Sequence, residues 1–142
     1  MRAVVQRVAS ASVAVEGETV STIGAGMLVL LGVAVGDSAA EAKRIAAKIA
    51  ALRIFDDVSG RMNEPLGDRE ILCVSQFTLL GDVSRGNRPS FVAAAPAELA
   101  EPLYERVCEL LGARRGSFGA RMSVELVNDG PITLLVEADP RP

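Results

Sequence analysis

Residues 27–35, Met27-Leu28-Val29-Leu30-Leu31-Gly32-Val33-Ala34-Val35, form a nearly unbroken apolar run. A strand with one wet face alternates polar and apolar side chains, so a run without alternation demands cover on both faces. It predicts a central strand, the most buried of the fold. At about nine residues it is far too short to span a bilayer, which takes ~20, so no membrane partner is expected. A chain of 142 residues with 49% hydrophobic and 23% charged residues has the composition of a folded protein and the length of one domain, read here as 1–142. Gln6 and Arg7 stand where a signal peptide needs its apolar segment, so export is not expected and the address is cytoplasmic.

Upstream of the run, Val4, Val8, Val13 and Val15 alternate with Gln6, Arg7, Ser10 and Ser12 in strand periodicity. Glu16-Gly17-Glu18 then leads to Thr19-Val20-Ser21-Thr22-Ile23, and this three-residue connection predicts a tight antiparallel hairpin. Beyond Gly36-Asp37, Ser38 followed three places later by Glu41 is a capping-box signature. It opens a helix with Ala42, Ile45, Ala46, Ile49 and Leu52 on its apolar stripe. Residues 55–61 are turn-rich, and 65–69 read as a surface loop or irregular hairpin. Strand character resumes from Glu70 to Leu80, followed by a polar loop, 81–89, with Asp82, Arg85, Asn87 and Arg88. A second helix is expected from about Pro96 to Leu111, striped by Leu99, Leu103, Val107, Leu110 and Leu111 and stopped by Gly112. Pro102 predicts a kink near its first turns, unless the regular part begins only near Glu101. Met122, Val124 and Leu126, then Ile132, Leu134 and Val136, predict two strands around a turn at 127–131. Hairpin-linked strands with two main helices make an α+β fold, its antiparallel or mixed β-sheet closing into a barrel-like core.

The chain has no histidine, which removes the usual general base, the usual metal ligand and every Ser-His or Cys-His pairing. Cys73 and Cys108 read as buried small hydrophobes rather than a disulfide or zinc site, and neither metal nor cofactor is expected. A net charge of −3 lacks the positive field of a duplex-DNA binder, so no DNA partner is expected and any nucleic acid would be held by a local patch. Gly24-Ala25-Gly26 precedes a strand, the wrong context for a nucleotide loop. Asp56-Asp57 beside Ser59-Gly60 reads as a solvated turn before a metal clamp. What remains is Ser75-Gln76-Phe77-Thr78, two hydroxyls, an amide and an aromatic ring at the end of an apolar strand, where backbone donors and side-chain oxygens can converge on a small substrate. The plainer alternative is an ordinary strand with Phe77 in the core and both hydroxyls bonded locally. In Asn128-Asp129-Gly130-Pro131-Ile132-Thr133, the Gly-Pro bond can be cis at a cost of only ~0.5–1 kcal/mol, although roughly 5–6% of such bonds are.

Ser75-Gln76-Phe77-Thr78-Leu79 together with Asn128-Asp129-Gly130-Pro131-Ile132-Thr133 resembles the D-aminoacyl-tRNA deacylase family. The likeness spans the chain, in order, through Val4-Val5-Gln6-Arg7-Val8, Ala11-Ser12-Val13, residues 26–32 and Arg88-Pro89-Ser90-Phe91. Ile132 stands where the family more often has valine, an added methylene that tightens the pocket without altering the chemistry. The resemblance implies a homodimer with its active site at the subunit interface and Gly130-Pro131 in cis, reaching into the partner's pocket to select substrate chirality. The implied substrate is the 3′ end of an aminoacyl-tRNA carrying a D-amino acid, or glycine on a wrong tRNA, whose ester is hydrolysed. Ser75, Gln76, Phe77 and Thr78 would then line the catalytic pocket, and Arg7 would support Gly130-Pro131. Arg85 and Arg88 are expected contacts to tRNA phosphates, against an equal chance of simple solvation. Two mechanisms stay open: Thr78 as nucleophile, or water attack assisted by the terminal ribose 2′-hydroxyl, the second favoured because no obvious base neighbours Thr78 in sequence. The rival class is a non-catalytic RNA-end or protein-interaction module with Phe77 and Phe91 as stacking or core residues.

Overall fold

In the computed structural model, which describes residues 1–141 and leaves Pro142 of the expected domain outside them, the apolar run becomes strand β3, Gly26–Gly32. Met27, Val29 and Leu31 face a layer of helices, while Leu28 faces the interior of a curled sheet. All four are at most 1% exposed. Burial of each such side chain stabilises by about 1.5–3 kcal/mol, so the missing alternation is the signature of two dry faces. The strand stops at Gly32, earlier than the run itself. The next residues leave the sheet because Ala95 N–H donates to Val33 O and Val35 N–H to Ala93 O, both at 2.9 Å, and Val35 ends up exposed.

Strand β1, Arg2–Val15, is the hub of the sheet. Along one edge its first half pairs antiparallel with β3 and its second half with β2, Glu18–Ile23. The hairpin turn is two residues, Glu16 and Gly17, both at positive φ, rather than the expected three, since Val15 already pairs with Glu18. β3 is flanked on its far side by parallel β6, Glu70–Ser75, which in turn pairs with the short parallel β7, Arg114–Arg115. The Ser21 hydroxyl donates to Arg115 O at 2.5 Å, bringing β2 back to β7 and nearly closing the sheet into a barrel. A small hairpin of β4, Phe55–Asp56, and β5, Met62–Glu64, lies apart, as the turn-rich sequence implies.

The other edge of β1 carries one strand where the sequence predicts two. β8, Ser123–Glu137, pairs antiparallel with β1 from Ala14↔Ser123 to Arg2↔Glu137. The expected reversal at 127–131 is absent. Val8 pairs with Asn128 and Gln6 with Thr133, so residues 129–132 bulge out opposite Arg7 and the strand resumes in the same direction. Gly and Pro mark a bulge as readily as a turn, and the apolar alternation on both sides is the same.

Helix α1, Ala39–Ala51, starts at Ser38 with a complete capping box and buries Ala42, Ile45, Ala46 and Ile49. Helix α2, Ala97–Leu111, ends at Gly112 and is continuous through Pro102, whose absent donor falls within the first turns. Its buried face differs from the expected stripe. Tyr104 must enter the core because its hydroxyl donates to Cys73 O at 2.7 Å, and it takes Ala100, Val107 and Cys108 with it; Leu99 and Leu110 face outward. Cys73 and Cys108 are free and buried. No helix among the described residues is long and apolar enough to cross a membrane.

The capping box is a pH-sensitive element. The Ser38 hydroxyl and its N–H both reach Glu41 Oε2 at 2.6 Å, and these bonds hold the Glu41 carboxyl at about 2 against an ordinary 4.5. A carboxylate with a depressed folded pKa stabilises fully above its unfolded value, and that contribution disappears as the pH drops from about 4.5 toward 2. Urea denaturation across this interval is expected to show a loss of stability that is much smaller in Ser38→Ala, where the carboxylate has lost its principal partner, and smaller still in Glu41→Gln.

Candidate active site

The parallel ladder between β3 and β6 ends at Leu31↔Ser75, and there Gln76 N–H donates to Leu31 O at 2.7 Å. The expected strand to Leu80 thus stops at Ser75. Gln76, at φ −144° and ψ 76°, breaks the extended backbone, and residues Phe77–Leu80 wind into a 3-10 turn. Leu79 N–H donates to Gln76 O at 3.2 Å and Gly81 N–H to Thr78 O at 3.0 Å. The turn lifts Phe77 out of the core position it would hold in a continuous strand, leaving it 54% exposed and edge-on to Phe91 at 5.1 Å. The Gln76 side-chain amide donates to the Thr78 hydroxyl oxygen, fixing that group. Among the described residues, the Phe77 and Thr78 N–H groups donate to no other protein group. No carboxylate accepts from the Thr78 hydroxyl among them.

Residues 75–77 form the lip of a cavity of about 460 Å³. Ser75, Gln76 and Phe77 line one side, Thr78 is not in the lining, and Val33, Val74, Phe118, Met122 and Val124 supply the apolar wall together with four alanines. Tyr104 backs this wall, with its ring 5.8 Å from that of Phe118. Its hydroxyl is pushed well above the usual phenol range by burial, as is the Cys73 thiol, first by its hydrogen-bonding neighbour Cys108 and then by burial, so both groups stay neutral.

The second motif lies elsewhere on the chain. The Gly130–Pro131 peptide bond is cis and sits at the tip of the β8 bulge. Gly130 has φ +149°, and a Cβ there would stand 2.7 Å from Ile132 N, so the bulge accepts only glycine. Asn128 spans its base: Ile132 N–H donates to Asn128 Oδ1 at 2.8 Å, and Asn128 Nδ2 donates to Ile132 O at 3.1 Å. Arg7, only 7% exposed, occupies the gap the bulge leaves. Its Nε donates to Asp129 O at 2.8 Å, and Nη1 to Ile54 O at 2.9 Å and Asp56 Oδ1 at 3.2 Å. Gly130 and Pro131 do not line the cavity of their own chain. Arg85 and Arg88 are exposed in a loop closed by the Asp82–Ser90 bridge, and among the described residues neither makes an ion pair.

Of the four residues the sequence suggests for a pocket, Ser75, Gln76 and Phe77 line the cavity and Thr78 does not, although its hydroxyl is bonded to the Gln76 side chain. Sequence reasoning did not find the far wall of the cavity, because residues 116–122 carry no periodic signal. Asp56, read as part of a solvated turn, is half-exposed yet pairs with Arg7.

The model for the family described as "D-Tyr-tRNA(Tyr) deacylase" matches residues 4–137. The chain belongs to the D-aminoacyl-tRNA deacylase family. Relatives named D-aminoacyl-tRNA deacylase include one from Myxococcus xanthus (strain DK1622), 54% identical over 97% of this chain and 95% of that protein, and one from Desulfatibacillum aliphaticivorans, 57% identical over 97% and 99%. Among solved structures, one titled "c-Myc DNA Unwinding Element Binding Protein" matches this deacylase-family chain with a TM-score of 0.93 at 44% identity, covering 99% of this chain and all of that one. A structure described as a probable eukaryotic D-amino acid tRNA deacylase shares the fold, with a TM-score of 0.77 at 17% identity over 95% of this chain and 97% of that one.

The family motifs thus fall in two mechanically separate places, and Arg7 is the anchor of one of them. Arg7→Met strips donors from the Ile54 and Asp129 carbonyls and is expected to cost about 2–5 kcal/mol, because a lost partner leaves buried polar groups unsatisfied. Asp56→Asn, at a partner 56% exposed, should cost about 0–1 kcal/mol. Urea unfolding of the two variants checks this order; equal effects would show that the guanidinium matters only through its ion pair.

Proposed function

We propose that this chain hydrolyses the ester joining a D-amino acid, or a mischarged glycine, to the 3′-terminal adenosine of tRNA, releasing free tRNA and amino acid. The observation that carries this reading is the 3-10 turn that leaves the cavity lip at Phe77, with two uncommitted N–H groups at Phe77 and Thr78 and a threonine hydroxyl fixed by Gln76, next to an apolar cavity of about 460 Å³. An aminoacyl ester is already activated, so positioning and stabilisation of the developing oxyanion suffice without histidine.

Water adds to the ester carbonyl carbon, and the negative charge gathering on the carbonyl oxygen is met by the Phe77 and Thr78 N–H groups. The carbon–oxygen bond to the 3′-oxygen then breaks, and that oxygen takes the proton released by the water through the neighbouring 2′-hydroxyl. Thr78, with Gln76 on its hydroxyl and no carboxylate to activate it, orients groups and does not attack. No cofactor or metal enters this scheme.

In this reading the enzyme works as a homodimer of single-domain chains, 1–142, and each site is completed by Gly130-Pro131 of the other chain. In support, β8 pairs only with β1 in the described sheet, and Val127 and Leu135 along it are 57% and 61% exposed. Arg7 holds the Gly130-Pro131 element so that its main-chain carbonyls exclude an L side chain, while a D side chain points away and glycine passes. Arg85 and Arg88 contact phosphates of the acceptor end. Such limited contact suits a protein of net charge −3, which argues for tRNA ends rather than duplex DNA as partner, and its workplace is the cytoplasm where charged tRNA circulates.

The half-exposed pair Phe77–Phe91 favours one rival, an RNA-end binder that stacks bases without cutting. Incubation with D-Tyr-tRNA and L-Tyr-tRNA decides between them: selective release of D-tyrosine supports the deacylase, and binding without ester loss supports the rival. Thr78→Ala is expected to retain measurable hydrolysis with no acyl-protein adduct. A substrate ending in 2′-deoxyadenosine is expected to lose about 10²-fold or more in kcat, the usual contribution of proton transfer. A trapped acyl-Thr78 species would instead make threonine the nucleophile.

A further inference from the structure

The turn that carries Phe77 and Thr78 rests on a bare α-carbon. Gly32, the last residue of β3, lies so close beneath it that an added Cβ would sit 2.5 Å from Leu80 Cδ2, 2.9 Å from the Gln76 carbonyl oxygen and 3.3 Å from Leu79 Cβ. Its φ lies outside the left-handed region, so it is space, not backbone freedom, that this position needs. The three contacts are unequal. Leu80 Cδ2 is the tip of a flexible side chain and can swing aside. The Gln76 oxygen is main chain, already engaged by Leu79 N–H, with Gln76 N–H tied to Leu31 O. A methyl group at position 32 therefore presses on the backbone of the turn itself.

A second contact seats the turn from the edge of the sheet. Arg2 Nη1 donates to Leu79 O at 2.9 Å while its Nε holds Glu137 Oε1 at 3.0 Å, so the guanidinium links the turn to the paired ends of β1 and β8. Neither Gly32 nor Arg2 lines the cavity. Gly32 abuts the turn, whose Gln76 and Phe77 form the cavity lip, and Arg2 joins that turn to Glu137.

We infer that Gly32, assisted by Arg2, is a positioning residue for hydrolysis: the missing Cβ at position 32 lets the 76–80 turn settle against β3, and that seat sets where the Phe77 and Thr78 groups stand relative to the ester. This inference rests on the deacylase reading. Displacing reacting groups by about 1 Å can cost ~10²-fold in rate. Of the cavity's lining the seat bears on the Gln76–Phe77 lip, while Phe118, Met122 and Val124 stand on other segments, so substrate binding should change far less than the rate.

The test is steady-state kinetics on D-Tyr-tRNA, corrected for the natively folded fraction. Gly32→Ala is expected to lower kcat by about 10- to 100-fold with KM within about twofold of the parent. Adding Leu80→Val removes the side-chain clash and leaves the Gln76 contact, so the double variant should stay impaired; recovery of parental kcat would overturn the inference. Amide NMR shifts provide a readout independent of turnover, since Gly32→Ala should move the Phe77 and Thr78 resonances most. Arg2→Met, at a side chain 41% exposed, is expected to fold and to lower kcat by about 3- to 10-fold at unchanged KM, with partial rescue by Arg2→Lys. If Gly32→Ala does not fold, parental kcat in Arg2→Met overturns the inference. Absence of hydrolysis by the parent protein would instead sink the deacylase reading, leaving the NMR shifts to judge the seat.

Discussion

The structure depends on one strand having no wet face. β3 puts Met27, Val29 and Leu31 against the helices and Leu28 into the barrel, so both neighbouring layers are needed to keep it from water. With antiparallel β1 on one side, parallel β6 on the other must be reached by a crossover, and α1 with the β4–β5 hairpin supplies it. The parallel ladder ends at Ser75 because Gly32, opposite the point where β6 would continue, gives room for a turn instead. The candidate site is therefore a consequence of sheet geometry: the chain leaves the sheet at the carboxyl end of a buried strand, where side chains and backbone groups emerge together beside a cavity.

A second constraint is the buried charge of Arg7. A guanidinium taken out of water needs polar partners, and here two main-chain carbonyls and the Asp56 carboxylate accept from its Nε and Nη1. The bulge in β8 and the start of β4 are thereby fastened to the same point of β1. Arg rather than Lys suits the position, since a planar fork can serve partners in different directions and a single ammonium cannot do so at the same geometry. That shared anchor ties the Gly130-Pro131 segment to the body of the protein without any contact to the cavity of its own chain.

Much of this was legible in the residues. The capping box at Ser38 and Glu41 specified a helix start because its two reciprocal bonds are local, and Gly112 marked a helix end for the same reason. Legibility failed where a long-range partner decided the outcome. Residues 127–131 have turn chemistry, and only their pairing with a continuous β1 makes them a bulge. Likewise Leu99 and Leu110 fit a helical stripe as well as Ala100 and Tyr104 do; the hydroxyl bond to Cys73, remote in sequence, selects the other face. At the site, the short pattern from Ser75 to Thr78 was visible as chemistry, but its departure from strand geometry was not, since Phe77, Leu79 and Leu80 are as apolar as any core strand. The close approach of Gly32 was hidden in an apolar run where glycine reads merely as an interruption.

Absence of histidine shapes what kind of catalyst this fold can be. A general base tolerates some slack because its pKa does part of the work, whereas the proposed site, made of amides, one hydroxyl and the substrate's own ribose, would have only placement to offer. Its groups must therefore be held by elements that cannot shift independently of the sheet. The 3-10 turn meets that demand: it is bonded to β3 through Leu31, braced by Arg2 and closed at Gly81. The same reasoning accounts for putting the proposed chiral filter on main-chain atoms. A side chain can change rotamer to admit an unwanted isomer, but a bulge pinned by Arg7 and Asn128 moves only if β1 and β8 part, and those two strands are paired along nearly their whole length.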